Sequence, residues 1–245
     1  MATLGKVLDK RPNILGITLA RGGSKSIPEK NITLLEGQPL INYTINEAKK
    51  SSYLTDYIVS TDSIKIANIA KECGAEVPFM RPEALSQDES SSLSGLQHAV
   101  EFMEKKLNIR YNYIIELMCT NPLKTVEDID NCIEKILKTK SDSVIAMHQL
   151  EDHHPARIKK IENDIIVDFC VPEKNEARRQ DLTPKAYIRS GSIYCMSRKY
   201  LMEDNRRYGG DNSRPYILPA SRTVNIDTPA DLELARYLVK QEKSS

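Results

Sequence analysis

Two hydrophobic periods alternate along this 245-residue chain. Short, continuous apolar runs bounded by turn residues read as buried strands. Between them, apolar residues recur every three or four positions, the spacing of one helix face. Ile14 to Leu19 is the first strand. Ile41, Ile45 and Ala48 mark a helix after Pro39. Tyr57 to Ser60 is a strand, followed by a candidate helix cap at Thr61-Asp62-Ser63 and a helical face of Ile64, Ala67 and Ala70 that stops before Gly74. Leu93, Leu96, Val100 and Met103 form one stripe of a helix predicted from Ser90 to Leu107. Tyr113 to Met118 reads as strand, Val126, Ile129, Ile133, Ile136 and Leu137 as helix, and Ser143 to Met147 as strand again.

The pattern changes from about Leu150 to Arg189. Ile158 to Ile161 and Ile165 to Phe169 predict a hairpin turning at Asn163-Asp164, followed by a charged, proline-containing stretch from Pro172 to Pro184. Strands are predicted at Ser192 to Met196 and Thr223 to Ile226. Pro229 opens a closing helix that packs through Leu232, Leu234, Ala235 and Leu238. This order predicts an α/β fold, a mostly parallel sheet flanked by helices. The length suits a single domain over 1–245 with an inserted arm at about 150–189. The polar residues before Pro12 are expected outside the core.

Composition narrows the function classes. Charge nearly balances, at a formal +1, against the basic excess of nucleic-acid binders. No apolar run reaches membrane-spanning length, and no signal-peptide core opens the chain. Five scattered cysteines without a CxxC pair read as reduced thiols, so a cytoplasmic location is expected.

The densest chemistry follows the first strand, at Ala20-Arg21-Gly22-Gly23-Ser24-Lys25, continuing to Lys30 and Asn31. Glycines permit positive φ and close approach to a ligand. Successive backbone N–H groups with nearby cations cradle an anion. The spacing fits neither the Walker A loop nor the dinucleotide fingerprint. A solvated basic turn is the competing reading.

With Pro28, these residues resemble the opening signature of the acylneuraminate cytidylyltransferases (CMP-sialic acid synthetases). Further blocks in the same order extend the resemblance from Ile14 to Leu238. It implies a Rossmann-like nucleotidyltransferase fold with a protruding dimerisation arm, hence a homodimer or homotetramer. It also implies CTP, a 2-keto-3-deoxy sugar acid and Mg²⁺. Ala20 to Lys25, Lys30 and Asn31 then become nucleotide-binding, with Arg21 and Lys30 catalytic. Arg81-Pro82-Glu83-Ala84-Leu85-Ser86-Gln87-Asp88 resembles the segment closing over cytosine and ribose, assigning Arg81 to the base and Ser92 to a hydroxyl contact. The serine run also suits a helix N-cap.

Leu117-Met118-Cys119-Thr120-Asn121-Pro122-Leu123-Lys124-Thr125 resembles the family's L-L-Q-P-T-S-P-L-R-T with departures. Met118 replaces glutamine, Cys119 replaces proline, and Glu116 stands where an apolar residue is usual. These positions line the sugar pocket in the family, so Glu116 and Met118 imply an acid other than N-acetylneuraminate. A structural glutamate paired with a cation is the alternative. The His153-His154-Pro155 string matches the start of the family's arm, and its spacing is not that of zinc ligands. The resemblance assigns Arg157, Arg179, Gln180 and Tyr194 to the sugar acid, with Arg179 suited to its carboxylate.

In Val224-Asn225-Ile226-Asp227-Thr228, the family's I-D-I-D-T carries the metal on two aspartates. The resemblance implies Asp227 and Asn225 as metal ligands here and Asp227 as catalytic, with a helix N-cap beside Thr228-Pro229 as the competing reading for Asp227. Asp231 belongs to the first helical turn. The expected enzyme joins CTP and a nonulosonic acid to give a CMP-sugar and pyrophosphate. Transfer to an eight-carbon acid and a non-catalytic sugar-nucleotide sensor are the alternatives.

Overall fold

A computed structural model describes residues 11–24, 26–87, 89–150, 152–173 and 178–244. The polar leading residues, Lys25, Asp88 and Glu151 lie outside that set. The strands are β1 (Ile14–Leu19), β2 (Leu34–Leu35), β3 (Gln38–Pro39), β4 (Asp56–Ser60), β5 (Tyr113–Leu117), β6 (Ser143–Gln149), β7 (Lys159–Glu162), β8 (Ile165–Asp168), β9 (Tyr187–Ser197) and β10 (Ser213–Ile217). The helices are α1 (Leu40–Lys50), α2 (Ile64–Glu72), α3 (Ser92–Leu107), α4 (Val126–Thr139), α5 (Arg198–Met202) and α6 (Pro229–Ser244).

Six strands form one sheet in the order β10-β6-β9-β5-β1-β4. Five run the same way, and β9 is antiparallel to both its neighbours. Leu15, Ile17, Ile114, Tyr194 and Met196 bury one sheet face with Leu96, Ala99, Val100 and Met103 of α3. Ile115, Leu117, Val144, Ile193 and Cys195 bury the other with Ile129, Cys132, Ile133 and Ile136 of α4. Both faces are covered, so the strands read as continuous apolar runs. The chain passes from β1 to β4 on one side and returns to β5 on the other. The switch point therefore lies between β1 and β5, the usual ligand crevice of such sheets.

Two predicted strands differ. Thr223 to Ile226 is irregular backbone, held to the segment after β5 by a bond from the Ile226 N–H to the Thr120 carbonyl (2.8 Å), to Lys30 through the Ile226 carbonyl (2.8 Å), and by burial of Val224 and Ile226 against α6. Arg222 clamps the preceding turn to the buried Asp128 of α4. The sheet edge is taken instead by β10, whose Pro215 removes a donor, a loss tolerated on an edge strand. Strand β9 extends beyond the predicted segment, with Gly191 at φ 65°.

The arm leaves the sheet after β6 and returns through β9. Its β7–β8 hairpin is a separate two-stranded sheet, and Asn163 and Asp164 both take positive φ, as a two-residue turn requires. Ile161, Ile165, Ile166 and Phe169 are exposed, at 61–76%. No described helix is long and apolar enough to cross a membrane.

Candidate active site

A cleft of about 570 Å³ opens at the C-terminal ends of β1 and β5. Its lining includes Arg21, Ser24, Lys30 and Asn31 from the loop after β1, Arg81, the serines opening α3, Glu116 and Met118 at the end of β5, and Asn225 and Asp227 before α6.

The glycine loop differs from a simple phosphate cradle. Ala20 is fully buried in the core, its N–H on the Ser60 carbonyl. Gly22 and Gly23 do not line the cleft, and neither is among the glycines with positive φ. The Gly22 N–H is spent on Asp62 Oδ1 (3.0 Å), and that of Ser24 on the Gly22 carbonyl (3.2 Å). Gly22 is needed for close approach, because a Cβ there would lie 3.1 Å from Ser63 Cβ. What this loop presents to the cleft, among the described residues, is thus Arg21, Ser24, Lys30 and Asn31.

Asn31 also positions the loop. It is buried, donates to the Arg21 carbonyl (2.9 Å) and accepts from Cys119 Sγ (2.9 Å). Burial pushes the Cys119 thiol up to about 11, which keeps it protonated and donating. Asp62, read from sequence only as part of a cap, ties two segments together. It holds the Gly22 N–H and faces Arg81 Nη2 at 3.6 Å, while Ser63 alone caps α2.

Arg81 is nearly buried and donates through Nε to Ser86 Oγ (2.9 Å). Burial draws its pKa down and Asp62 opposes the shift. Ser92 is the first residue of α3 and lines the cleft, while Ser91 caps the helix.

Lys30 Nζ donates to Asp227 Oδ1 (3.0 Å) and to the Ile226 carbonyl (2.8 Å), joining residues 197 apart. Asp227 is exposed and free of cap duty. That role falls to Thr228 and Asp231, whose Oδ2 accepts from the N–H groups of Asp227 (3.0 Å) and Thr228 (2.7 Å). Asn225 donates to Asp227 Oδ2 (2.6 Å), placing both on one face as predicted, without a strand. Asn225 Oδ1 is buried without a hydrogen-bond partner. Gly191 makes room for it, since a Cβ there would lie 3.2 Å from that oxygen. One carboxylate and one orphaned amide oxygen are hard donors suited to Mg²⁺. Among the described residues, no group of three or more His, Cys, Asp or Glu could hold a metal ion.

Glu116 is 2% exposed and pairs with Arg207 Nε, from the loop between α5 and β10. Burial raises its pKa and the guanidinium opposes. Arg207 was not singled out by the sequence reading. The basic, aromatic, glycine-containing run Arg206-Arg207-Tyr208-Gly209-Gly210 was the available signal.

The remaining sugar candidates do not reach the cleft within this chain. Tyr194 sits behind Glu116 in β9, buried, with the Arg207 guanidinium 4.2 Å from its ring centroid. Arg157 faces Glu173 (3.9 Å) and Arg179 faces Asp152 (3.3 Å) in the arm, while Gln180 and Arg179 border a separate cavity beside His154. The fold explains this, because the arm is an insertion with its own small sheet. His154 is a buried structural residue, bonded to the Pro184 carbonyl (2.8 Å) and the Ala156 N–H (3.2 Å).

Cations, a hard-oxygen pair and a buried arginine around one crevice define an enzyme acting on a nucleotide polyphosphate. Residues 15–243 match the family described as Cytidylyltransferase. The chain is 34% identical over 232 residues to pseudaminic acid cytidylyltransferase of Campylobacter jejuni, covering 94% of this chain and 98% of that protein. It is 32% identical to CMP-N,N'-diacetyllegionaminic acid synthase of Legionella pneumophila, covering 93% and 96%. The fold matches that of CMP:2-keto-3-deoxy-manno-octonic acid synthetase complexed with CTP, at TM-score 0.71 and 18% identity, over 94% of this chain and 99% of that one. The chain belongs to the cytidylyltransferase family, in the group of the acylneuraminate cytidylyltransferases.

Proposed function

We propose that this enzyme joins CTP to a nonulosonic acid, giving a CMP-sugar and pyrophosphate. The reading is carried by one observation. Arg21 and Lys30 from the loop after β1, Arg81, and Asp227 come from three separate segments and line one cleft together with Glu116 and Met118. The anomeric hydroxyl attacks the α-phosphorus, a new P–O bond forms, the bond to the β-phosphate bridging oxygen breaks, and the hydroxyl proton passes to solvent. Arg21 and Lys30 neutralise the triphosphate and the departing pyrophosphate. Arg81 donates to cytosine acceptors, and Ser92 adds a hydroxyl. Asp227 and Asn225 would hold Mg²⁺, which when bound offsets charge on the phosphate oxygens. Lys30 then moves from the carboxylate to phosphate.

The enzyme works as an assembly of two copies or a pair of such dimers. The exposed isoleucines of the β7–β8 hairpin support this, as a second copy covering them would bring Arg157, Arg179 and Gln180 to its neighbour's cleft. Unpaired thiols fit the cytoplasm, where CTP is made.

The test is pyrophosphate release with CTP and Mg²⁺ across N-acetylneuraminate, its deaminated analogue, legionaminate, pseudaminate and the eight-carbon acid, with Asp227→Ala alongside. Release with a nine-carbon acid, lost in the variant, is expected. CTP binding without release on any acid would favour a sensor. Release with the eight-carbon acid alone would move the acceptor class.

A further inference from the structure

The wall opposite the triphosphate cations contains a feature with no structural necessity. A carboxylate buried at the end of a central strand is costly, and an apolar residue of similar volume would pack there at least as well. Glu116 is nonetheless retained with Arg207, brought from 91 residues away. Two further contacts hold the guanidinium: Arg207 Nη2 lies 3.7 Å from Met118 Sδ, and the Tyr194 ring lies beneath it. Tyr208 is fixed alongside by Arg189, 4.1 Å from its ring centroid. The loop carrying both is pinned by Gln97 to the Leu201 carbonyl and Asn205 (both 2.9 Å), and by Tyr200 OH to the Gly209 carbonyl (2.6 Å).

The pair stands where two cavities meet. Glu116 and Met118 line the main cleft, Arg207 and Tyr208 line a neighbouring cavity of about 420 Å³, and Ser91 and Ser92 line both. Only Oε2 of Glu116 is engaged among the described residues. The guanidinium has five N–H donors, one of them spent on that oxygen. An acceptor and a donor therefore lie side by side at the mouth of the second cavity, with the Met118 thioether and Leu93 nearby.

Resting on the transfer reading above, we propose that Glu116 and Arg207 together form the specificity element for an acylamido substituent on the sugar acid. The substituent N–H donates to Glu116, its carbonyl accepts from Arg207, and its alkyl end enters the second cavity. A hydroxyl in the same place can only bridge the pair through a single oxygen, which spans less of it than an amide does, and it leaves the second cavity without the alkyl end. Arg207 is thus a specificity-determining residue, distant from the reacting phosphorus.

The experiment compares kcat/KM for acylamido acids (N-acetylneuraminate and the diacetylated legionaminate and pseudaminate) with that for hydroxyl acids (the deaminated analogue and the eight-carbon acid). Wild type is set against the double variant Glu116→Leu/Arg207→Met, which removes both charges together and so avoids stranding one of them. The acylamido-to-hydroxyl ratio is expected to fall by about ten-fold or more, through the KM of the acid, while the Kd for CTP stays within about two-fold. A ratio unchanged within about two-fold, with CTP still bound, overturns the proposal. Should the double variant fail to bind CTP, Arg207→Lys decides by the same ratio, since it keeps the counter-charge and loses the planar fork. Wild-type protein that releases no pyrophosphate with any acid overturns the transfer reading itself, and the proposal with it.

Discussion

The two ends of the cleft are built on different plans. The end proposed to hold the triphosphate is made by one short local segment, with Arg21, Ser24, Lys30 and Asn31 falling within eleven residues of one loop. Its described ion pair is half open, as Lys30, 14% exposed, meets Asp227, which is 64% exposed. The acceptor end is made by a long-range contact, in which Glu116 and Arg207 meet inside the protein at 2% and 16% exposure. A ligand at the first end meets a carboxylate open to water. A ligand at the second meets charges already desolvated and fixed. Under the proposed function, the first end grips the nucleoside triphosphate tail and the second discriminates.

Breaking one partner at each end tests that difference. Arg207→Met alone should cost about 3–5 kcal/mol at neutral pH, because it strands a buried carboxylate. The loss depends on pH. Burial already raises the Glu116 pKa, and removing the cation raises it further. Stability is then retained below the ordinary carboxylate pKa of the unfolded chain and is lost as pH rises through the raised folded value. Urea midpoints at pH 5 and pH 8 should diverge in the variant more than in the Glu116→Leu/Arg207→Met protein. Equal divergence in both would mean that the pair is solvated like the triphosphate end.

Asp227→Ala should lower kcat by about 10²–10³-fold and leave the melting temperature nearly unchanged, since the side chain is exposed and lacks a cap role. A large fall in melting temperature would erase the contrast. Arg81→Gln should raise the KM for CTP by about ten-fold and narrow the preference for CTP over UTP, read from initial rates with each nucleotide. Asn225→Asp adds charge beside Asp227 and should lower the Mg²⁺ concentration for half-maximal rate by about five-fold. No change there would mean that the Asn225 oxygen stays outside the metal's reach.

The same contrast explains what could be read from sequence. Strand β1 was legible to the residue because Ile14 to Leu19 is a continuous apolar run ending at a glycine loop. The faces of α1, α3 and α4 were legible from spacing. Thr223 to Ile226 alternates like a strand, yet its position is set by the Arg222–Asp128 clamp and bonds to Thr120 and Lys30, none visible in a local window. Strand β10 was missed because Arg214 and Pro215 dilute its apolar pattern, which an edge position allows. At the cleft, Arg21, Lys30, Arg81, Ser92, Asn225 and Asp227 were found, since each lies within a motif. Glu116 was noticed as a departure, but its partner was not, because pairing across 91 residues leaves no local mark. Asp62 was hidden by an ordinary cap context, whereas Arg157, Arg179 and Gln180 were named from their motifs but lie in the arm, away from the crevice.

The Lys30–Asp227 contact also bears on synthesis. A nascent chain ending before Asp227 already carries the glycine loop, the Arg81 segment and the central strands of the sheet. It lacks the carboxylate that completes the cleft. The cleft lining is therefore complete only once two residues 197 positions apart have both been made and have met.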